Sequence, residues 1–264
     1  MSPSHYPKPI QMPKLPSLTL QDFAAYEPHR QRDAEYNAYR LAVRRKLGLH
    51  GKHLQQLLET EADLELKSRT SLERPYKFNL GRVGSQWAYL SRSPKDKKAL
   101  QARVGPALGK DVDTHYIQTT LVVSVDSEGL EQALRIHSLA WWDGQNLKLK
   151  CSDPEHLDEW LDLLNSLPQG FILFMDNWKK EYPCGRLHAQ DLRAYFKTYT
   201  PGEHWLNLRR RIPAALACSL DEDLTAFLEE GALALAPLYR FLAWTPDNDH
   251  LFDEDGRVRR LEDR

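Results

Sequence analysis

Between Lys67 and Arg92 the chain reads KSRTSLERPYKFNLGRVGSQWAYLSR, in which Lys67, Arg69, Arg74, Lys77, Arg82 and Arg92 are interleaved with Tyr76, Phe78, Trp87 and Tyr89. Guanidinium groups grip phosphate through paired hydrogen bonds and aromatic rings stack on bases, so this composition suits a phosphate-bearing ligand or nucleic acid. Antiparallel strands with charged residues outward and aromatics inward show the same alternation without binding anything. The binding reading assigns the ligand to Arg69, Arg74, Tyr76, Lys77, Arg82 and Arg92. Pro75 disfavours a helical Arg74, so Arg74 and Lys77 flank the start of a strand on which Tyr76, Phe78 and Leu80 share one face.

Two other constellations have catalytic precedents. Arg45 and His50 resemble the arginine–histidine pattern of HEPN ribonucleases, where the arginine steadies charge and the histidine handles a proton. Gly48 is expected to break the helix between them. Glu65 and Lys67, after Asp63, form half of a PD-(D/E)xK nuclease site, in which two carboxylates hold Mg²⁺. The second acid of such a site belongs on an upstream strand, and upstream the pattern is helical. The ten histidines show no HxxxH or HExxH spacing, and no P-loop, GxGxxG or GxSxG occurs. Neither a metal nor a cofactor is therefore expected, and whether the chain is an enzyme stays open. His115 and His137 are read as structural, and Arg209–Arg211 as the cationic end of a helix.

The elements that would position these residues follow from periodicity. Tyr116–Val125 is rich in β-branched residues and predicts the central strand. Asp126 and Ser127 are read as caps for a short helix through Leu130, Ala133 and Leu134. Ile136–Trp142 and Leu147–Cys151 are read as a hairpin about Asp143-Gly144, with Leu147 and Leu149 buried and Lys148 and Lys150 wet. Leu64–Ser68, Tyr76–Leu80, Gln86–Ser91 and Phe171–Met175 complete the predicted strands. Helices are predicted near Thr19, over 31–47 and 52–59, over Pro94–Val104, Pro154–Leu167, His188–Tyr199 and His204–Arg211, and over 220–229 and 231–244. Strands in the middle and helices at both ends predict an α+β fold with a mixed or antiparallel central sheet. The expected organisation is a Pro-rich arm over 1–18, one domain over 19–245 and a loose charged tail over 246–264.

The order of these segments resembles the bacterial YktB-like proteins. The stretches carrying the resemblance are ERPYKFNL, YIQTTLVV leading to Leu130–His137, and FLEEG with LAPLYRFL near the end. It implies a single α+β domain and brings no activity with it. Arg69, Arg74, Tyr76 and Lys77 match that family's most recognisable segment.

A hydrophobic content of 41% and a charged content of 28% are those of an ordinary globular protein, and no apolar run is long enough to cross a bilayer. The N-terminus has no apolar core of a secretory signal, and the three cysteines offer neither a disulfide framework nor a metal knuckle. These features point to a cytoplasmic protein. Net charge is −1, yet residues 29–110 hold 18 Lys and Arg against 8 Asp and Glu, and residues 221–264 hold 5 against 12. Binding of an anionic ligand or nucleic acid is the first expectation. A protein partner for the acidic C-terminal part (an immunity or regulatory module) is the second, and a nuclease is the third.

Overall fold

The computed structural model describes residues 15–71, 81–105, 112, 117–176 and 178–259. Seven strands form one antiparallel sheet, β1 (Leu66–Thr70), β2 (Ser85–Arg92), β3 (Thr119–Asp126), β4 (Gly129–Ile136), β5 (Phe171–Met175), β6 (Tyr182–Pro183) and β7 (Leu206–Pro213), in the order β1-β2-β3-β4-β7-β5-β6. Among the described residues eight α-helices accompany it: α1 (Leu20–Ala24), α2 (Asn37–Glu61), α3 (Pro94–Val104), α4 (Trp141–Lys150), α5 (Pro154–Asn165), α6 (Ala189–Thr198), α7 (Ala214–Ser219) and α8 (Leu224–Leu242). This is an α+β fold with helical segments before and after the strands.

Strand alternation assigns the two faces. Leu121, Val123 and Val125 of β3 stand in register with Leu134, Gln132 and Leu130 of β4; all are buried, and the apolar ones belong to the main core. Leu206 and Leu208 of β7 continue that face, against which α2 and α8 pack. On the opposite face Tyr89, Val122 and Ala133 form a small second cluster.

Four local expectations are overturned. The Asp143-Gly144 pair lies inside α4 and not at a hairpin tip. Asp143 is drawn inward as the acceptor for Arg92, and a Cβ on Gly144 would meet the Tyr199 hydroxyl at 2.5 Å, so glycine here permits close packing rather than a left-handed turn. Lys150 is consequently buried, where a strand would have left it wet. The true tight hairpin joins β3 to β4 through Ser127 and Glu128. Asp126 accepts from the amides of Glu128 and Gly129 at 2.8 and 3.2 Å, so it shapes a turn instead of capping a helix. A Cβ on Gly129 would come within 2.0 Å of the Ile212 carbonyl, so glycine is required for β4 to approach β7.

The run Arg209–Arg211, expected in a helix, lies in β7. Arg209 and Arg211 reach Glu131 on one face, while Arg210 turns to Gln132 and Glu230 on the other. Finally, Gly48 breaks nothing, and the two helices expected over 220–229 and 231–244 are one from Leu224 to Leu242. α2 runs unbroken past Gly48, and α8 runs through Gly231, whose missing Cβ leaves room for the Gln132 side chain.

Candidate functional site

Of the residues singled out between Lys67 and Arg92, the described arginines Arg69, Arg82 and Arg92 do not converge. Arg69 is exposed on β1, opposite Tyr89, on the face away from the main core. Arg82 is exposed, and its Nε donates to the Gln31 side chain. Arg92 has the parity of Ala88 and Leu90 on β2 and points into the core, where its side chain is 2% exposed. It holds Asp143 through two hydrogen bonds, and Asp143 also accepts from Thr119 Oγ1 at 2.6 Å and from the Trp244 amide at 2.9 Å. Arg92 is thus a buried tie and is not available to a ligand. Arg74, Tyr76 and Lys77 lie outside the described residues.

The catalytic precedents fare no better. Arg45 is exposed, whereas His50 is buried with its Nε2 2.8 Å from the Pro16 carbonyl, so the pair cannot act on one substrate. Burial lowers the His50 pKa. Glu65 and Lys67 are exposed, and among the described residues no group of three His, Cys, Asp or Glu side chains stands where it could hold a metal ion.

On the sheet face opposite the main core, Glu131 is met by Arg135, Arg209 and Arg211, while Arg211 also pairs with Asp126 and Arg209 with Glu181. Each guanidinium there has a carboxylate, so the cluster is internally neutralised.

A different region combines space with unspent positive charge. The last turn of α4 and the residues after it present Lys148, Cys151 and Ser152; α5 begins beside them with Pro154 and Leu157. Across from these, α6 offers Arg193, Phe196 and Lys197, whose i, i+3, i+4 spacing puts them on one helix face. The cleft between them measures about 430 Å³.

Lys148 Nζ donates to the Tyr199 carbonyl at 2.6 Å, which fixes the ammonium against the C-terminal end of α6, and burial lowers its pKa. Among the described residues neither Arg193 nor Lys197 pairs with a carboxylate. Cys151 is 6% exposed, and burial pushes its thiol pKa well up, so it stays protonated near neutral pH. Cys151 is therefore no nucleophile for this cleft.

No protein-family model matches this chain, and no curated protein matches it.

The chemistry of the site therefore rests on its own side chains. A second cleft of about 610 Å³ lies against β5 and β6, but it places Glu181 and Arg186 together and so presents charges of both signs. Sequence reading missed Lys148, Arg193 and Lys197. The last two were legible as a cationic pair flanking Phe196 on a predicted helix. Lys148 was not, because the hairpin reading put it on the wet side of a strand.

Proposed function

We propose that this protein binds a small anionic, phosphate-bearing ligand in the cleft between α4, α5 and α6, with Lys148, Arg193 and Lys197 as its cationic contacts. One observation carries the reading: cations from two helices line a single cleft, and two of them lack a carboxylate partner among the described residues. A volume of about 430 Å³ lies within the range of small-molecule sites. Sequence-wide recognition of nucleic acid through Lys67–Arg92 has less support, since Arg92 is committed to Asp143. A partner for the acidic C-terminal part has less support too, because Glu229, Glu230 and Asp249 already meet His53, Arg210 and Arg103. Three free thiols support a reducing, cytoplasmic setting.

Calorimetric titration with phenyl phosphate at low salt tests the proposal. Each charge-assisted hydrogen bond contributes about 1.5–3 kcal/mol, so Arg193→Ala and Lys197→Ala should each weaken binding by about tenfold or more. Added salt should weaken it further. Absence of binding by the unaltered protein, or binding by both variants as tight as that of the unaltered protein, would overturn the reading.

A further inference from the structure

We infer that the ligand of this cleft is an amphiphile, an apolar chain ending in a phosphate or carboxylate, and not a sugar phosphate or nucleotide. The inference rests on the anionic-ligand reading and goes further, from the kinds of hydrogen-bonding groups the cleft presents. Among its described lining residues there is no carboxylate and no carboxamide; the polar side chains are Lys148, Arg193, Lys197, Ser152 and the Cys151 thiol. Ammonium and guanidinium groups donate and never accept.

Acceptors at the edge of the cleft are few, and each already takes one hydrogen bond from the protein. The Tyr199 carbonyl takes the Lys148 bond, the Leu149 carbonyl takes Ser152 Oγ at 2.6 Å, and the Asp153 carboxylate accepts from the Glu155 amide at 2.9 Å. A ribose or base carries several donors, and among the lining side chains only the Ser152 hydroxyl offers lone pairs to receive them, so most would shed water without gaining an acceptor, which costs free energy. A phosphate or carboxylate head needs only donors, and those are what the cationic rim supplies.

The rest of the wall is apolar. Phe196, Leu157 and Pro154 line it, with Cys151 behaving as a small hydrophobe. Phe196 is held edge-on against Tyr195 with ring centroids 5.6 Å apart, so its position is set by the core rather than by the ligand. The charged rim and the apolar wall share α6: Arg193 and Lys197 flank Phe196 on one helix face. A ligand that satisfies both carries its anion at one end and hydrocarbon at the other.

The test is a titration series with inorganic phosphate, butyl phosphate, octyl phosphate, octanoate and ribose 5-phosphate, each held below any micelle-forming concentration. A parallel arm uses vesicles containing an anionic lipid. Affinity should rise up to about fourfold per methylene from phosphate through butyl phosphate and level off once the chain fills the cleft. Octanoate should compete with octyl phosphate, and ribose 5-phosphate should bind no better than inorganic phosphate. Phe196→Ala should flatten the chain-length dependence, and Phe196→Leu should keep most of it.

Affinity independent of chain length, or ribose 5-phosphate binding as tightly as butyl phosphate, would overturn the inference while leaving an anion site in place. Binding to vesicles without binding of the monomeric phosphates would overturn it in favour of a membrane surface. If no phosphate binds, or if Lys197→Ala leaves every affinity unchanged, the underlying anionic-ligand reading falls instead.

Discussion

Arg92 and Asp143 face each other where almost no water reaches, with side-chain exposures of 2% and 0%. Burial alone would lower the guanidinium pKa, but the adjacent carboxylate outweighs it and raises the pKa, so Arg92 stays charged. Asp143 ties α4 both to β2 and to the chain just after α8, through Trp244. Removing either partner strands the other as an unpaired charge. Arg92→Ala and Asp143→Ala should each cost about 3–5 kcal/mol, whereas replacing both with apolar residues should cost much less than the sum. Urea unfolding midpoints measure this, and a cost below about 1 kcal/mol for either single variant would show that the pair is not a tie. Whether Arg92 faces a ligand or a core was partly legible from parity, since Gln86, Ala88 and Leu90 share its side of β2. Its buried partner was not, because Asp143 lies 51 positions away on an element misread as a hairpin.

At the scale of elements, glycine was the hardest residue to interpret, because one residue type serves turns, caps and close contacts alike. Gly48 and Gly51 in α2 are one turn apart and both face the sheet. A Cβ on Gly48 would meet Thr70 Cγ2 at 3.2 Å, and one on Gly51 would meet Ser68 Oγ at 2.6 Å and the Ala88 Cβ at 3.1 Å. The helix therefore crosses β1 and β2 unusually near, which neither helix propensity nor periodicity can disclose. Alanine inside a helix is ordinarily better than glycine by about 1 kcal/mol. At Gly51 the contact should reverse that sign: Gly51→Ala is expected to destabilise by about 1–3 kcal/mol, through overpacking against Ala88. Gly48→Ala should be milder, as only a methyl group must give way. Thermal unfolding of the two variants checks the order, and a Gly51→Ala protein more stable than the parent would remove close packing as the reason for glycine. Elements with strong self-contained signals behaved differently. Pro94–Val104 and Phe171–Met175 occupy their predicted spans because a Ser93 cap with a first-turn proline, and a compact apolar run bounded by turns, leave few alternatives.

Across the whole molecule, folding brings the two oppositely charged portions of the chain into contact. The basic N-terminal portion and the acidic C-terminal portion meet where α2 lies beside α8, through His53 and Glu229, and where α3 meets the final segment, through Arg103 and Asp249. Such partly exposed pairs contribute little each, and what fastens the final segment is burial. Leu251 is fully buried, Phe252 is 5% exposed, and Arg103 sits over the Phe252 ring at 4.7 Å. Asn248 donates to the carbonyls of Phe241 and Ala243 at 3.0 and 2.9 Å, satisfying the end of α8, while its own oxygens accept from Lys150 and Asn146 at 3.0 Å. The expectation of a loose tail from Pro246 onward followed from its many charges, which conceal two apolar residues placed to close the core beside α4. Truncation before Pro246 should therefore destabilise the protein by up to about 3–6 kcal/mol, from the lost burial of Leu251 and Phe252. Truncation just after Phe252 keeps both side chains and Asn248, and should leave the unfolding midpoint nearly unchanged. If both truncations unfold at the parent temperature, the segment is a passive tail; if both are equally destabilised, the packing at Leu251 and Phe252 is not what holds it.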